Sequence, residues 1–308
     1  MIGHLYAGKA ELSINVNQPY SKDIICCILA PMTNSKAYEN QILKFRAERE
    51  TKLKENERSW LSLAGLYWLE EGNNTFGNDP SNDIKLEYAF VPAHAGVFQY
   101  ENDVVTLKVN EGVKMTCNGL DVTSKTLHTD VEENPDFIEL GSLIMLTIKR
   151  GNNCLIRVWD KDDPARKNFS GLKHYPVNRQ YRVAARFIPY DSPHILKIRD
   201  VIGEEYEVEF PGFVIFKLGG KECRLETEKT ENGLFFNFYD PTNGNGSYPG
   251  GRFLVTDPPN DREVIIDFNM AYNPPCAYTD YATCPLPPAQ NRLPVRVPAG
   301  EKIYRHHG

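Results

Sequence analysis

After Trp60 the chain is cut into short apolar runs, each closed by turn residues. That rhythm restricts the fold more than any other feature of its 308 residues. The runs at 84–86, 96–100, 104–109, 138–140, 143–148 and 154–159 are rich in β-branched and aromatic residues, which suit a pleated, half-buried surface. Asn102-Asp103 and Gly151-Asn152-Asn153 separate such runs with the residue types that hairpin turns require. Leu143-Ile144-Met145-Leu146-Thr147-Ile148 reads as a strand buried on both faces. The polar, proline-containing stretch 161–166 (KDDPAR) marks a boundary. A second series follows at 181–187, 195–200, 206–210, 213–218, 223–228, 234–239, 251–256 and 264–268. Its turns are expected at Gly203-Glu204, Pro211-Gly212, Gly219-Gly220 and Glu231-Asn232-Gly233. No βαβ rhythm, dinucleotide glycine motif or phosphate loop is present, which argues against a nucleotide-binding fold.

Only 36–58 reads as a long helix. Asn34 or Ser35 can cap it, and Tyr38, Ile42 and Phe45 give one narrow apolar stripe. From Arg46 onward it is nearly all charge, with Glu48–Lys52 and Glu50–Lys54 at i,i+4, and reads as a solvated face. The expected architecture is mainly β. Two packed antiparallel β units, each a sandwich or partly open barrel, follow one long charged N-terminal helix. The divisions fall at 1–58 (leader and helix), 59–163 (first β unit) and 164–308 (second β unit).

Net charge is −6, which disfavours nucleic acid and anionic membrane as partners. The apolar run 24–32 (IICCILAPM) is far short of the roughly 20 residues a membrane helix needs, and it lacks the basic start and cleavage site of a signal peptide. Residues 1–33 show no period. Seven scattered cysteines, an odd number, cannot form a complete disulfide framework, so a reducing compartment, the cytoplasm, is expected. No Cys-x-x-Cys pair and no cysteine–histidine cluster supplies four metal ligands, and neither metal nor cofactor is expected.

The chemistry concentrates near the C-terminus. After a strand at 264–266, the stretch to Lys302 carries Asp267, Asn269, Tyr272, Asn273, Cys276, Tyr278, Asp280, Tyr281, Cys284 and Asn291, with six prolines between Pro274 and Pro294. A long ordered loop in a compact domain is usually functional. It is expected to cross the second β unit, with Cys276 and Cys284 largely buried. Tyr248-Pro249-Gly250-Gly251-Arg252 adds two glycines that let backbone approach a ligand and a guanidinium suited to carboxylate or phosphate. Around Asp267, Asn269, Asn273, His174, Tyr248, Cys276 and Arg252 we expect a ligand site, with Arg252 as anchor.

Several segments carry a resemblance. Phe169-Ser170-Gly171-Leu172 with Tyr175-Pro176-Val177, Phe238-Tyr239-Asp240-Pro241-Thr242 and Gly250-Gly251-Arg252-Phe253 form one part of it. Asp267-Phe268-Asn269, Ala271-Tyr272-Asn273-Pro274-Pro275-Cys276-Ala277-Tyr278, Cys284-Pro285-Leu286-Pro287-Pro288, Asn291-Arg292-Leu293 and Ala299-Gly300-Glu301-Lys302 complete it. Together they resemble the DUF1684 family, a domain of unknown function, over roughly 60–302. The resemblance implies a fold and no reaction.

The first β unit resembles a forkhead-associated domain, through Gly77-Asn78, Ile84, Val91-Pro92-Ala93-His94, Asn118-Gly119 and Ile138-Glu139-Leu140-Gly141-Ser142. Asn78 stands where that family has its phosphate-binding Arg, and Val91 where it has Ser. The resemblance therefore implies the sandwich without phosphopeptide binding, and His94 reads as a structural histidine satisfied by backbone.

Two readings remain open at this level. In one, the second β unit binds a small polar or anionic molecule, with or without catalysis. In the other, the chain is a protein–protein interaction module whose C-terminal motif is a structural clasp.

Overall fold

The computed structural model describes residues 35–304. The expectations for 1–33, its two cysteines included, and for a cap at Asn34 lie outside the described residues. The chain divides into two compact units. One is 54–169, and the other joins 35–53 to 170–304. No helix among the described residues is long and apolar enough to cross a membrane.

The long helix α1 (Ser35–Glu55) belongs with the second unit, and it ends three residues short of the expected 58. Its charged half is solvated, as expected, except along one face. Tyr38, Ile42, Arg46, Arg49 and Leu53 recur at steps of four, four, three and four, the spacing of a single helix face. On that face Ile42, Arg46 and Leu53 are buried. Two of the five are arginines, which disguises the stripe in a purely apolar reading.

The 54–169 unit contains eleven strands. The first five are β1 (Leu63–Trp68), β2 (Gly72–Gly77), β3 (Ile84–Lys85), β4 (Gly96–Glu101) and β5 (Val104–Val109). β6 (Thr116–Cys117), β7 (Leu120–Asp121), β8 (Ser124–Leu127), β9 (Phe137–Leu140), β10 (Leu143–Arg150) and β11 (Asn153–Asp160) follow. They form a six-stranded sheet, β1-β11-β10-β9-β6-β7, and a five-stranded sheet, β3-β2-β4-β5-β8. Phe76, Phe98 and Leu107 from the second sheet pack with Ile138, Met145, Ile156 and Val158 from the first, which makes the unit a sandwich. The turns form as their residues demand. Asn102 and Asp103 (φ 51° and 65°), and Asn118 and Gly119 (φ 50° and 81°), take the left-handed conformations of tight hairpins. Residues 143–148 are buried throughout, as their sequence indicates. His94 is satisfied by a side chain rather than by backbone, with Nδ1 3.2 Å from Asn82 Oδ1.

The second unit holds β12 (Arg182–Arg199), β13 (Glu205–Leu218), β14 (Lys221–Thr230), β15 (Gly233–Phe238), β16 (Arg252–Thr256) and β17 (Glu263–Asp267). All neighbouring pairs are antiparallel, in the order β16-β15-β14-β13-β12-β17, and the outer strands β16 and β17 approach to give a nearly closed barrel. Val214, Phe216, Leu225, Phe236, Phe238, Ile266 and Phe268 fill its interior.

Two expected breaks are absent. β12 runs through Pro189 and Pro193, and β13 runs through the expected Pro211-Gly212 turn. The register explains this: pairing jumps from Pro189↔Gly212 to His194↔Phe210, so Tyr190, Asp191, Ser192 and Pro193 bulge opposite Pro211. Proline lacks an N–H, and a bulge is where a ladder does not need one.

Candidate functional site

The chain leaving β17 folds onto α1 through polar side chains. Asp267 caps a single 3₁₀ turn, its Oδ1 accepting the Asn269 N–H at 3.0 Å. Tyr38 Oη donates to Asp267 Oδ2 at 2.8 Å. Asn269 Nδ2 donates to Tyr38 Oη, the Asn178 carbonyl and Asp267 Oδ1, each at 2.9 Å. Its Oδ1 accepts the Asn178 N–H at 2.9 Å. Burial pushes the Asp267 carboxyl above the usual carboxylate range, against the hydrogen bonds from Asn269 and Tyr38. Burial, then the neighbouring Asp267 charge, raises Tyr38 well above a free phenol.

About three turns along α1 from Tyr38, Arg49 reaches Glu301, a carboxylate only 1% exposed. Glu301 Oε2 also accepts the Asn273 N–H at 2.8 Å and the Tyr278 hydroxyl at 3.1 Å. Arg49 Nη2 donates to the Asn273 carbonyl at 3.1 Å, and the guanidinium lies 4.3 Å over the Tyr272 ring. Asn273 Nδ2 donates to the Lys302 carbonyl at 2.8 Å, while its Oδ1 is buried with no hydrogen bond.

His174 pairs through its backbone with Glu301, and its Nδ1 lies 4.0 Å from Glu50 Oε1. Glu50 Oε1 also accepts the Leu172 N–H at 3.1 Å. Burial depresses the His174 pKa. Nearby Arg46 and Arg49 act in the same direction, and Glu301 and Glu50 oppose it, so the imidazole is neutral at neutral pH.

Arg46 differs from its neighbours. It is 8% exposed, yet its one hydrogen bond, from Nη2 to the Asn269 carbonyl, is 3.5 Å long. Its Nε is buried with no partner, and burial lowers its pKa. Among the described residues, Nη1 bonds to none.

The remaining expected site residues lie in two other clusters. Arg252 opens β16 and is fully buried. Nη2 donates to Asp240 Oδ1 at 2.7 Å and to the Val297 carbonyl at 2.9 Å, and Nη1 donates to the Ala299 carbonyl. Asp240 further accepts the N–H and hydroxyl of Thr242 and the Val297 N–H. Tyr248 Oη donates to the Cys276 carbonyl at 2.8 Å, and the Cys276 N–H donates to Cys284 Sγ at 3.1 Å. Cys284 is buried, whereas Cys276 is half-buried rather than largely buried.

The structure thus gathers His174, Asp267, Asn269 and Asn273 against α1, and sets Arg252 and the Tyr248–Cys276 pair apart from them in separate networks. Sequence reasoning missed Tyr38, Arg46, Arg49 and Glu50 as members, and the signal was their shared helix face. Among the described residues, no group of three or more His, Cys, Asp or Glu side chains could hold a metal ion.

Residues 167–302 match the family described as "Protein of unknown function (DUF1684)". Over that span the chain belongs to DUF1684. An uncharacterised protein of Haloarcula marismortui, solved by solution NMR, is 33% identical over 46% of this chain and 82% of its own, with a TM-score of 0.38. The FHA-2 domain of the Mycobacterium tuberculosis ABC transporter Rv1747 is 20% identical over 29% of this chain and 76% of its own, with a TM-score of 0.23. The FHA domain of the CT664 protein from Chlamydia trachomatis is 17% identical over 31% of this chain and 94% of its own, also at 0.23. No curated protein matches. Glu301, Asp267, Asn269 and Asn273 fall inside the DUF1684 span, whereas Arg46 and Arg49 lie outside it.

Proposed function

We propose that the unit formed by 35–53 and 170–304 binds a small anionic ligand at Arg46, beside His174, and that the surrounding DUF1684 residues hold α1 in place. The observation that carries this reading is the state of Arg46: a guanidinium 8% exposed whose Nε has no hydrogen bond. Leaving such donors unsatisfied in a desolvated place is costly, and a ligand oxyanion would satisfy them. Asp267 and Glu301 act on Arg46 as nearby charges but accept no hydrogen bond from it, because they bond to Tyr38 and Asn269, and to Arg49, Asn273 and Tyr278. His174 supplies a neutral imidazole, which can donate to an anion without a second charge. Nothing in this arrangement activates a nucleophile, so binding is the reading, with the cytoplasm as its compartment on the evidence of the odd, scattered cysteines.

Thermal unfolding in inorganic phosphate, malonate and acetate tests it. A ligand at one hundred times its Kd stabilises by about 2.7 kcal/mol. At least one of these anions should raise the Tm of the natural chain and fail to raise that of Arg46→Gln, with the far-ultraviolet spectrum unchanged. An equal rise in both proteins would count against Arg46.

A second reading, an interaction module with the motif as a clasp only, draws on the large apolar side chains that 54–169 exposes. Leu120 is 75% exposed, Phe90 48%, Trp68 47% and Val104 47%. It is preferred if no anion stabilises the natural chain.

A further inference from the structure

The bulge in β12 opens a cavity of about 430 Å³ on the outer side of the barrel, away from the interior-facing Val214 and Leu225. Tyr190, His194, Leu196, Phe213, Arg224, Glu226 and Gln290 line it. Its size falls within the range of small-molecule sites.

The register explains why these side chains converge. Phe213 pairs with Glu226, and Ile215 with Arg224, so Phe213, Arg224 and Glu226 share the sheet face opposite Val214 and Leu225. Four residues of β12 bulge opposite Pro211, which turns Tyr190 and His194 onto that face. Their rings then stack, with centroids 3.5 Å apart and planes 16° apart, and Tyr190 meets the Phe213 ring at 5.3 Å.

Glu226 is the fixed point. It is 3% exposed, and both its oxygens accept the Tyr190 hydroxyl at 3.0 Å. Asn291, a residue of the DUF1684 motif, locks its backbone by accepting the Glu226 N–H at 2.7 Å and donating to its carbonyl at 3.0 Å. Arg224 Nη2 bonds to Glu226 Oε1 at 2.7 Å and to Tyr190 Oη at 2.5 Å, while the guanidinium lies 3.6 Å over the Phe213 ring.

Arg224 spends only Nη2. Among the described residues, its Nε and Nη1 bond to none, and neither does the Gln290 amide. The cavity therefore presents flat ring walls together with unspent donors, while its one carboxylate is already engaged. Such a lining selects a flat molecule that accepts hydrogen bonds at its edge.

We propose that this cavity binds a small planar acid, an aromatic or heteroaromatic carboxylate, with the ring against the Tyr190–His194 stack and the carboxylate on the free donors of Arg224 and Gln290. This site is separate from the one at Arg46, and each stands or falls without the other.

The test is titration calorimetry of the full chain carrying Arg46→Gln, which removes the other proposed anion site, with benzoate and nicotinate, against benzyl alcohol (a ring without the acid) and acetate (an acid without the ring). The expected result is saturable binding of at least one aromatic acid, at least tenfold tighter than either control. Added to that background, Arg224→Gln and His194→Ala should each weaken it at least fivefold. Both Arg224 and His194 are exposed, so their variants should fold, which circular dichroism would check. Equal affinity for benzyl alcohol would overturn the assignment of the acid, and equal affinity for acetate that of the ring. Absence of any binding, or unaltered binding in both variants, would overturn the site.

Discussion

Arg46, Arg49 and Arg252 carry the same guanidinium into three electrostatic situations. Arg49 meets a buried carboxylate and two further acceptors, Arg252 meets Asp240 and two carbonyls, and Arg46 meets one distant carbonyl. Arg252 is thereby a structural group. Removing it leaves Asp240 as an uncompensated buried charge, which costs about 3–5 kcal/mol. Denaturant unfolding of Arg252→Met should show a loss of that size, and Arg252→Met/Asp240→Asn should recover part of it. Strict additivity of the two substitutions would contradict the pairing. The sequence announced Arg252 as functional because two glycines precede it. The structure gives Gly251 a local reason: its φ is +98°, and a side chain there would meet Pro287. Which way a guanidinium points is a tertiary fact, and spacing alone does not contain it.

Hairpins were legible where their chemistry is local. Asn102-Asp103 and Gly151-Asn152-Asn153 need no distant partner to favour a tight turn, and the run at 143–148 is apolar whichever face is counted. β12 and β13 were illegible because their prolines read as breaks, and only the partner strand reveals that they lie at a bulge. The cavity residues Tyr190, His194, Arg224 and Glu226 were missed for the same reason. Pro189 and Pro193, set within a period-two pattern, were the available signal.

In the sandwich of 54–169, two positions carry the expectation that phosphopeptides do not bind. Val91 is 4% exposed, and Asn78 donates its backbone N–H to the Pro92 carbonyl at 2.9 Å. Neither position offers an Arg fork or a Ser hydroxyl for charge-assisted phosphate contacts, so the expectation from the sequence resemblance is no phosphopeptide binding. Titrating the full chain with a phosphothreonine peptide library should yield no micromolar binder. One that binds and is lost on dephosphorylation would refute this.

At the scale of the whole molecule, the chain order and the packing order differ. Helix α1 precedes the 54–169 unit in sequence, yet it belongs with 170–304. Its contacts there are polar and specific: Tyr38 to Asp267, Arg49 to Glu301, and Glu50 to the Leu172 N–H. Deleting 1–53 therefore strands the buried Glu301 carboxylate, whose cation is Arg49, and takes the Tyr38 hydroxyl from Asp267, which keeps Arg182 at 3.8 Å; it strands no carboxylate in 54–169. Stranding one such charge costs about 3–5 kcal/mol, a large share of a domain's stability of about 5–15 kcal/mol. Hydrogen exchange followed by mass spectrometry reads the two units separately. In the chain starting at Lys54, peptides from 170–304 should lose protection, most of all those carrying Asp267–Tyr278 and Glu301. Peptides from β10 and β11 should exchange as they do in the full chain, because their hydrogen bonds and core contacts lie within 54–169. Equal loss of protection in both units would mean that α1 stabilises the chain as a whole. Unchanged protection in 170–304 would mean that the polar contacts of α1 contribute nothing to holding the C-terminal motif.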